Sequence, residues 1–412
     1  MKRFLSIFFI FFFAQLVFCE DLTIAEYIES AKNDPRITSK KTLSDSFESS
    51  GNTPWVKSLE FRSETGNFDI LEQTYALRLY FRGFGETKAT REFMKNSQNI
   101  YRLECKSARS EILLERYSAI VYYIHHKKEL KLIDSMQELL EDKLSVTEKI
   151  GAMTAETTEI DKMDIEDKIT DFEMKKIELE STVESIENTV QSDMNSEKKP
   201  AFDKEKIISI DEIEEFADSL GEISGAAKAE SDLQALRAII AQNEIALEEA
   251  KERNWLKYIA LEYDTGDRAD KPSHGFSIGF AISIPGFKNN QTSILKKHLK
   301  SLEETSEFDT QNRIKKAEIR SALIMLKREI RQYRVLAERK KKVEKSDIMS
   351  KYSSIEGVNP LMIIKLKERI LKKELKMAEL ELKIYERYIN LAYLSGMYEE
   401  ENGRNFLYGK TE

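Results

Sequence analysis

The chain is built twice. Leu22-Thr23-Ile24-Ala25-Glu26, ending at Ala31, returns as Ile208-Ser209-Ile210-Asp211-Glu212, ending at Ala217. Trp55-x-Lys57-x-Leu59-x-Phe61 returns as Trp255-x-Lys257-x-Ile259-x-Leu261, and Phe81-Arg82-Gly83-Phe84 returns as Ile284-Pro285-Gly286-Phe287. Gly151 and Gly357 complete the series, each interrupting a long helical pattern. The offsets are 186, 200, 203 and 206, so repeat one lacks about 14 residues of its first helix. One supersecondary plan therefore has to serve both halves. That plan reads as short helix, two strands, long helix, glycine-marked break and second long helix. Both opening motifs carry Thr/Ser-x-x-Glu, a capping box that satisfies orphan amides at a helix start.

Boundaries follow from the same pattern. Residues 20–195 form repeat one, with a hairpin over about 55–82 and helices over about 85–148 and 155–193. A polar linker with Pro200 covers 196–205. Repeat two occupies 206–397, with a hairpin over about 255–285 and helices over about 288–350 and 358–396. A polar tail, 398–412, closes the chain.

Composition agrees with long helices. Charged residues reach 33%, whereas 15 Gly and 6 Pro amount to about one residue in twenty. Average usage puts that pair near ~12%, so the turns of a large sandwich or a doubly wound sheet are missing. A hydrophobic share of 41% with 21 Phe excludes disorder. Four His and two Cys leave no zinc or disulfide framework.

Residues 1–19 read as a secretory signal peptide: basic Lys2-Arg3, an apolar Phe4 to Phe18, then a change of character at Cys19-Glu20. Two readings stand at its end. Leu16-Val17-Phe18-Cys19 half resembles a bacterial lipoprotein box, which would make Cys19 a lipidation site. The bulky Phe18 stands where that box wants a small residue, and cleavage just after Cys19 is the other reading. Removing the peptide leaves 63 basic against 73 acidic residues. Nucleic acid is excluded as a partner, because phosphate contacts need a basic face.

The strands alternate unusually. Phe276, Ile278, Phe280, Ile282 and Ile284 share one face at period two, opposite Ser277, Gly279, Ala281 and Ser283. Leu77, Leu79 and Phe81 alternate with Ala76, Arg78, Tyr80 and Arg82; Leu59 and Phe61 alternate with Ser58, Glu60 and Arg62. Each run has the roughly nine to eleven residues that a tilted strand needs to cross hydrocarbon. Trp55, Trp255, Tyr75 and Tyr263 stand near strand ends, where membrane interfaces favour them. The expected lipid face is therefore Leu59, Phe61, Leu77, Leu79, Phe81, Phe276, Ile278, Phe280, Ile282 and Ile284, with Arg78 and Arg82 on the lumen side. Two hairpins cannot close a barrel or hide their edges, so several copies of the chain must share one.

The helices carry two apolar seams. Ile363, Ile370, Met377, Ile384 and Leu391 recur every seven residues, joined by Leu366, Leu380 and Leu394. Ile364, Leu371, Ala378, Tyr385 and Ala392 form a second row about 150° away. Repeat one shows Ile165, Phe172, Leu179 and Ile186 at the same spacing. A solitary coiled coil needs one seam, whereas a helix in a curved wall has a neighbour on each side. Phe84 to Gly151 spans 67 residues and Phe287 to Gly357 spans 70. Each arm is then on the order of 100 Å long at helical rise.

Enzyme chemistry finds no foothold, and neither a cofactor nor a metal is expected. G-x-S-x-G, P-loop, H-E-x-x-H and dinucleotide motifs are absent from the sequence. His125 and Glu129 form an i,i+4 pair that reads as a solvated pair rather than a metal site. Glu156, Glu159 and Asp161 read as solvated helix faces that would bias a tunnel toward cations, while Arg78 and Arg82 would favour anions.

At this point the sequence resembles the TolC-like outer membrane efflux proteins. The carrying residues are Leu22-Thr23-Ile24-Ala25-Glu26, Asn33-Asp34-Pro35, Ile282-Ser283-Ile284-Pro285-Gly286-Phe287, Lys351-Tyr352 before Gly357, and Leu391-Ala392-Tyr393-Leu394-Ser395-Gly396. The resemblance implies mainly α architecture with a shared transmembrane β-barrel, four strands from each protomer of a homotrimer. It also implies a periplasmic helical tunnel in the outer membrane, whose tip docks an adaptor protein and an inner-membrane transporter. Ile150-Gly151-Ala152 and Glu356-Gly357-Val358 match the helix–turn–helix tips of that family; Glu356 departs from its apolar residue. Simple tight turning is the other role open to the two glycines.

The expected function is thus a passive exit duct of an efflux pump or type I secretion system. The alternative is a non-channel periplasmic coiled-coil scaffold, lipid-anchored through Cys19. Fractionation separates them: the duct stays with membranes through carbonate extraction and leaves in detergent as a trimer, whereas the scaffold is a monomer, carbonate-soluble where Cys19 carries no lipid.

Overall fold

In a computed structural model, the described residues are 21–49, 54–65, 73–83, 85–154, 159–202, 207–220, 228–265, 267–268, 271–272, 275–282, 291–345, 359–399 and 406–407. They fall into two compact units. The first comprises Met1–Asp34, Arg109–Ala226 and Lys316–Glu412, and the second Pro35–Ala108 and Ala227–Lys315.

The first unit is helical, and its two halves begin alike. In repeat one the Leu22 amide donates to Lys199 O at 3.0 Å and the Ala201 amide donates to Leu22 O at 3.1 Å. In repeat two the Ile208 amide donates to Leu407 O at 2.6 Å. Each capping box then starts a helix: Thr23 and Glu26 cap α1 (Ile24–Glu29), Ser209 and Glu212 cap α5 (Ile210–Ser219). Arg116 secures the end of α1. Its guanidinium is buried, donates to Tyr27 O and Ser30 Oγ, and lies 4.9 Å from the centre of the Tyr27 ring. The Tyr27 hydroxyl in turn donates to Asp193 at 2.6 Å.

Four long helices supply the rest: the later part of α3 (Glu86–Thr154), α4 (Glu159–Met194), the later part of α7 (Gln291–Lys345), and α8 (Pro360–Leu394). Ile133, Met136 and Leu140 on α3 are buried at helical spacing, as are Leu326 and Ile330 on α7. On α8 both expected rows are used. Ile384 and Leu391 are buried from one row, and Ile364, Ala378, Tyr385 and Ala392 from the other. The reason is that α8 has a partner on each side. Lys143, Lys128 and Tyr122 reach it from α3, while Lys340, Tyr333 and Glu329 reach it from α7.

Three expectations change. Gly151 does not end a helix: α3 runs through Ile150, Gly151 and Ala152 to Thr154. One glycine costs a helix only about 1 kcal/mol, which the long hydrogen-bond ladder absorbs. The residues missing from repeat one do not come from its opening helix. The shortening shows in α2 (Pro35–Ser49), which has 15 residues where α6 (Lys228–Glu252) has 25. His125 is not solvated; it is buried against the Tyr385 ring at 5.1 Å, and burial pulls its imidazole down to about 4. Glu129 pairs instead with His126 at 3.7 Å and Lys175 at 2.6 Å.

The second unit holds β1 (Val56–Thr65), β2 (Gln73–Phe81), β3 (Leu256–Asp264) and β4 (Gly275–Ile282) with α2, α6 and the first parts of α3 and α7. The hairpins do not stay apart. They join through β2 and β3 into one antiparallel sheet of order β1-β2-β3-β4. The pairs β1–β2 and β3–β4 both shift register at the repeated Trp-x-Lys motif, between Val56 and Ser58 of β1 and between Leu256 and Tyr258 of β3. The extra residues are Lys57 and Lys257, as the repeat requires.

The Lys143–Glu368 pair of the first unit makes a stability prediction. Burial alone would push the Glu368 carboxyl up, but hydrogen bonds from Lys143 and Lys372 outweigh it and hold the group at about 2. A depressed carboxylate stabilises the fold above its unfolded value of 4.5, and that contribution fades as pH falls toward 2. Glu368→Gln is expected to cost about 3 kcal/mol near neutrality by stranding Lys143, and to flatten the loss of stability between those two pH values. Lys143→Met with Glu368→Leu should recover most of the loss. Chemical denaturation followed by circular dichroism reads all three.

Candidate functional site

The register of the sheet sorts its side chains into rows. Leu59, Leu79, Ile259 and Phe280 form one row and Phe61, Leu77, Leu261 and Ile278 the next. Toward the hairpin ends comes Tyr75–Tyr263–Phe276, and toward the helices Phe81 and Ile282. All nine described residues expected on the apolar face therefore share it; Ile284 lies outside the described residues. This face is open. Phe276 is 84% exposed, Ile278 73%, Phe280 67% and Phe61 68%. Aromatic rings mark both margins, with Trp55 against Phe81 at 4.9 Å and Tyr263 against Phe276 at 4.8 Å.

The opposite face is polar, and its side chains are partly covered on the central strands β2 and β3 but open on β1. Its rows are Ser58–Tyr80–Tyr258–Ala281, Glu60–Arg78–Ala260–Gly279, Arg62–Ala76–Glu262–Ser277 and Glu64–Thr74–Asp264–Gly275. Tyr80 donates to Glu60 at 2.7 Å, and Arg62 pairs with Glu64 at 2.7 Å. Arg78 lies 3.9 Å from Glu262 and over the Tyr258 ring at 5.2 Å. Beneath these side chains Ala76 and Ala260 are buried. A sheet in a water-soluble core keeps its apolar face covered, whereas here that face is open.

Arg78 and Arg82 are not equivalent. Arg78 stands inside the sheet among Glu60, Glu262 and Tyr258. Arg82 lies one residue beyond β2, where its amide donates to Trp55 O at 3.1 Å and its guanidinium to Thr90 at 3.3 Å. The carboxylate Glu262, which lies 3.9 Å from Arg78, was missed in the sequence. Period two from Tyr258 and Ala260 marks Glu262 as their neighbour on the polar face.

The strand-to-helix junction explains Gly83. A Cβ there would come within 2.7 Å of Asn254 Cβ and 3.0 Å of Ala250 O, so only glycine fits. The Gly83 amide donates to the Glu86 carboxylate at 2.8 Å, opening α3. Of the expected tip residues, Ile150, Gly151 and Ala152 occupy the end of α3, while Glu356, Gly357 and Val358 lie outside the described residues, as does Cys19.

Two searches bear on how a membrane or a metal would be met. Among the described residues no helix is long and apolar enough to cross a membrane, and no cluster of His, Cys, Asp and Glu is placed to hold a metal ion.

No family model matches the chain, and no curated protein matches it. Solved structures do match. The outer-membrane channel OprN superposes with a TM-score of 0.65 at 12% identity, over 92% of this chain and 91% of that one. The outer membrane protein VceC of Vibrio cholerae gives 0.65 at 11%, over 90% and 96%. The MtrE outer membrane channel of Neisseria gonorrhoeae, in its open state, gives 0.65 at 12%, over 91% and 88%.

The 2 Trp of the chain, Trp55 and Trp255, stand at the same end of the sheet, directly before β1 and β3, and are 68% and 47% exposed. With the protein reconstituted in vesicles, lipids brominated near the headgroup should quench their fluorescence more than lipids brominated near the chain ends. Absence of quenching by either lipid would mean that this end of the sheet never meets a bilayer.

Proposed function

We propose that this chain, which has the TolC-like fold, is a protomer of an outer membrane duct through which cargo leaves a bacterial cell. The observation that carries the reading is the open apolar face of the four-stranded sheet, with β1 and β4 each lacking a partner strand on its outer side among the described residues. An open sheet edge cannot persist in hydrocarbon, where water does not reach the free amides and carbonyls. Closure by copies of the same chain satisfies them, β4 of one copy pairing with β1 of the next. Three copies contribute twelve strands, an even number within the range of outer membrane barrels.

Outward, the leucine and phenylalanine rows meet lipid between the aromatic margins. Inward, the tyrosines and the ion-paired Arg78 and Glu262 line a wetted passage. The helices serve as the periplasmic tunnel. Its end, carrying Ile150, Gly151 and Ala152 on one arm and Glu356, Gly357 and Val358 on the other, docks a periplasmic adaptor and through it an inner-membrane transporter. Energy comes from that partner, since the sequence carries no nucleotide-binding motif.

The test is electrical. The full chain, purified in detergent and added to planar lipid bilayers, should insert as discrete conductance steps and leave detergent solution as a trimer. A chain that yields neither steps nor an oligomer is not a duct. Selectivity gives a finer reading. Glu60, Glu64, Glu262 and Asp264 share the polar face with Arg62 and Arg78, so Arg78→Gln with Arg82→Gln is expected to shift the reversal potential toward cations. An unchanged reversal potential would remove both arginines from the conduction path.

A further inference from the structure

The side-chain contacts of the first unit put its long helices in a fixed order. Lys175 and Lys176 tie α4 to Glu129 and Asp134 of α3. Lys128 and Lys143 tie α3 to Glu381 and Glu368 of α8. Lys340 and Tyr333 tie α7 to Glu374 and Glu381 of α8. The order is α4–α3–α8–α7, which leaves α4 and α7 as the two flanks. Lys175 and Tyr333 also stand at one level, linked through Glu129, Lys128 and Glu381, so the two flanks present the same height.

Both flanks carry an uncovered stripe, an apolar heptad row on α4 and a mainly charged one on α7. On α4 it runs through Ile160, Met163, Met174 and Ile177, 58% to 69% exposed. On α7 Ile324 and Val335, 69% and 52% exposed, stand eleven residues apart in a stripe that also carries the exposed Glu338. The flanking charges are of opposite sign. Beside the α4 seam Glu159, Glu166, Glu173 and Glu180 recur every seven residues, and Asp164, Asp171 and Glu178 do so on its other side. Those are the positions that set pairing between coiled helices. Along α7 the same stripe holds Arg328, Arg331, Arg339 and Lys342, all exposed. Over their lengths, α4 has twelve carboxylates against four lysines, and 316–345 of α7 has eleven cations against four carboxylates. Some α7 cations are already engaged: Lys327 and Arg334 hold Asp218, Asp211 and Glu214 of α5. Arg328 pairs with Glu329 of its own helix at 3.3 Å, and the stripe of Arg328, Arg331, Arg339 and Lys342 lies outside the contact with α5.

We infer that the acidic α4 seam of one copy packs against the basic α7 stripe of the next, so that charge polarity favours the same head-to-tail sense as the pairing of β4 with β1. Such a contact is heterologous, because α4 repels another α4 and α7 another α7. A heterologous contact closes into a ring when its rotation allows. The inference rests on the multi-copy duct proposed above, and adds which helices meet and why they meet in one direction. Opposed flank charges also guide encounter before any apolar contact forms. Salt should therefore weaken assembly more than it weakens the fold of one copy.

The experiment uses the full chain in detergent, with assembly read by native mass spectrometry and light scattering at low and high salt. One variant carries Glu173→Lys, Glu178→Lys and Glu180→Lys, another Arg328→Glu, Arg331→Glu and Arg339→Glu, and a third carries all six. Each three-residue reversal is expected to raise the concentration needed for half-assembly by roughly tenfold or more at low salt, and the six-residue swap to restore it. Circular dichroism of each variant separates lost assembly from lost helix. Reversals that assemble like the parent, or a swap that restores nothing, overturn the inference and leave the duct standing. A parent chain that stays monomeric overturns both.

Discussion

The edges of the four-stranded sheet, unpaired among the described residues, set the terms for the whole molecule. Each edge presents a row of amides and carbonyls that must find partners, and in hydrocarbon water cannot supply them. In water the same sheet would fare no better, because Phe61, Phe276, Ile278 and Phe280 are open on its outer face. Only an environment that is apolar outside, polar inside and closed at the edges suits every group at once. The partial covering of the inner face on β2 and β3 fits that environment, with Tyr80 held by Glu60 and Arg78 by Glu262.

Similar logic applies to the helices, with packing in place of backbone pairing. A helix flanked on both sides buries two seams and keeps two charged faces, which is why α8 buries Ile384 and Leu391 from one row and Tyr385 and Ala392 from the other. Where a flank has no neighbour among the described residues, its apolar side chains stay open, as on α4 and α7. Buried polar groups occur where helices must be keyed rather than merely packed. Arg116 holds the end of α1, and Lys143 meets Glu368 between α3 and α8. Removing one partner of such a pair strands the other, so these contacts specify position more than they add stability.

Much of this was legible in advance, for stated reasons. Period two in short runs has one geometric meaning, so the shared face of Leu59, Phe61, Leu77, Leu79 and Phe280 could be read directly. The capping boxes at Thr23 and Ser209 are local, three residues apart, and formed as expected. Less visible were features decided by distant residues. Gly151 looked like a helix break, yet the helix continues past it because one glycine is a small penalty against a long ladder. His125 looked solvated on its own helix, and only the arrival of Tyr385 from another helix buries it.

By itself the sequence determined the duplicated plan, the strand faces, the doubled seams and the helix starts. All of these follow from periodicity or from contacts a few residues long. Tertiary structure alone decided that β2 and β3 would join the two hairpins, that Arg78 would meet Glu262, and which helices would be left as flanks. The physical reason is sequence separation. Residues 78 and 262 touch only when a whole repeat has folded between them, and no local preference encodes which partner the chain brings back.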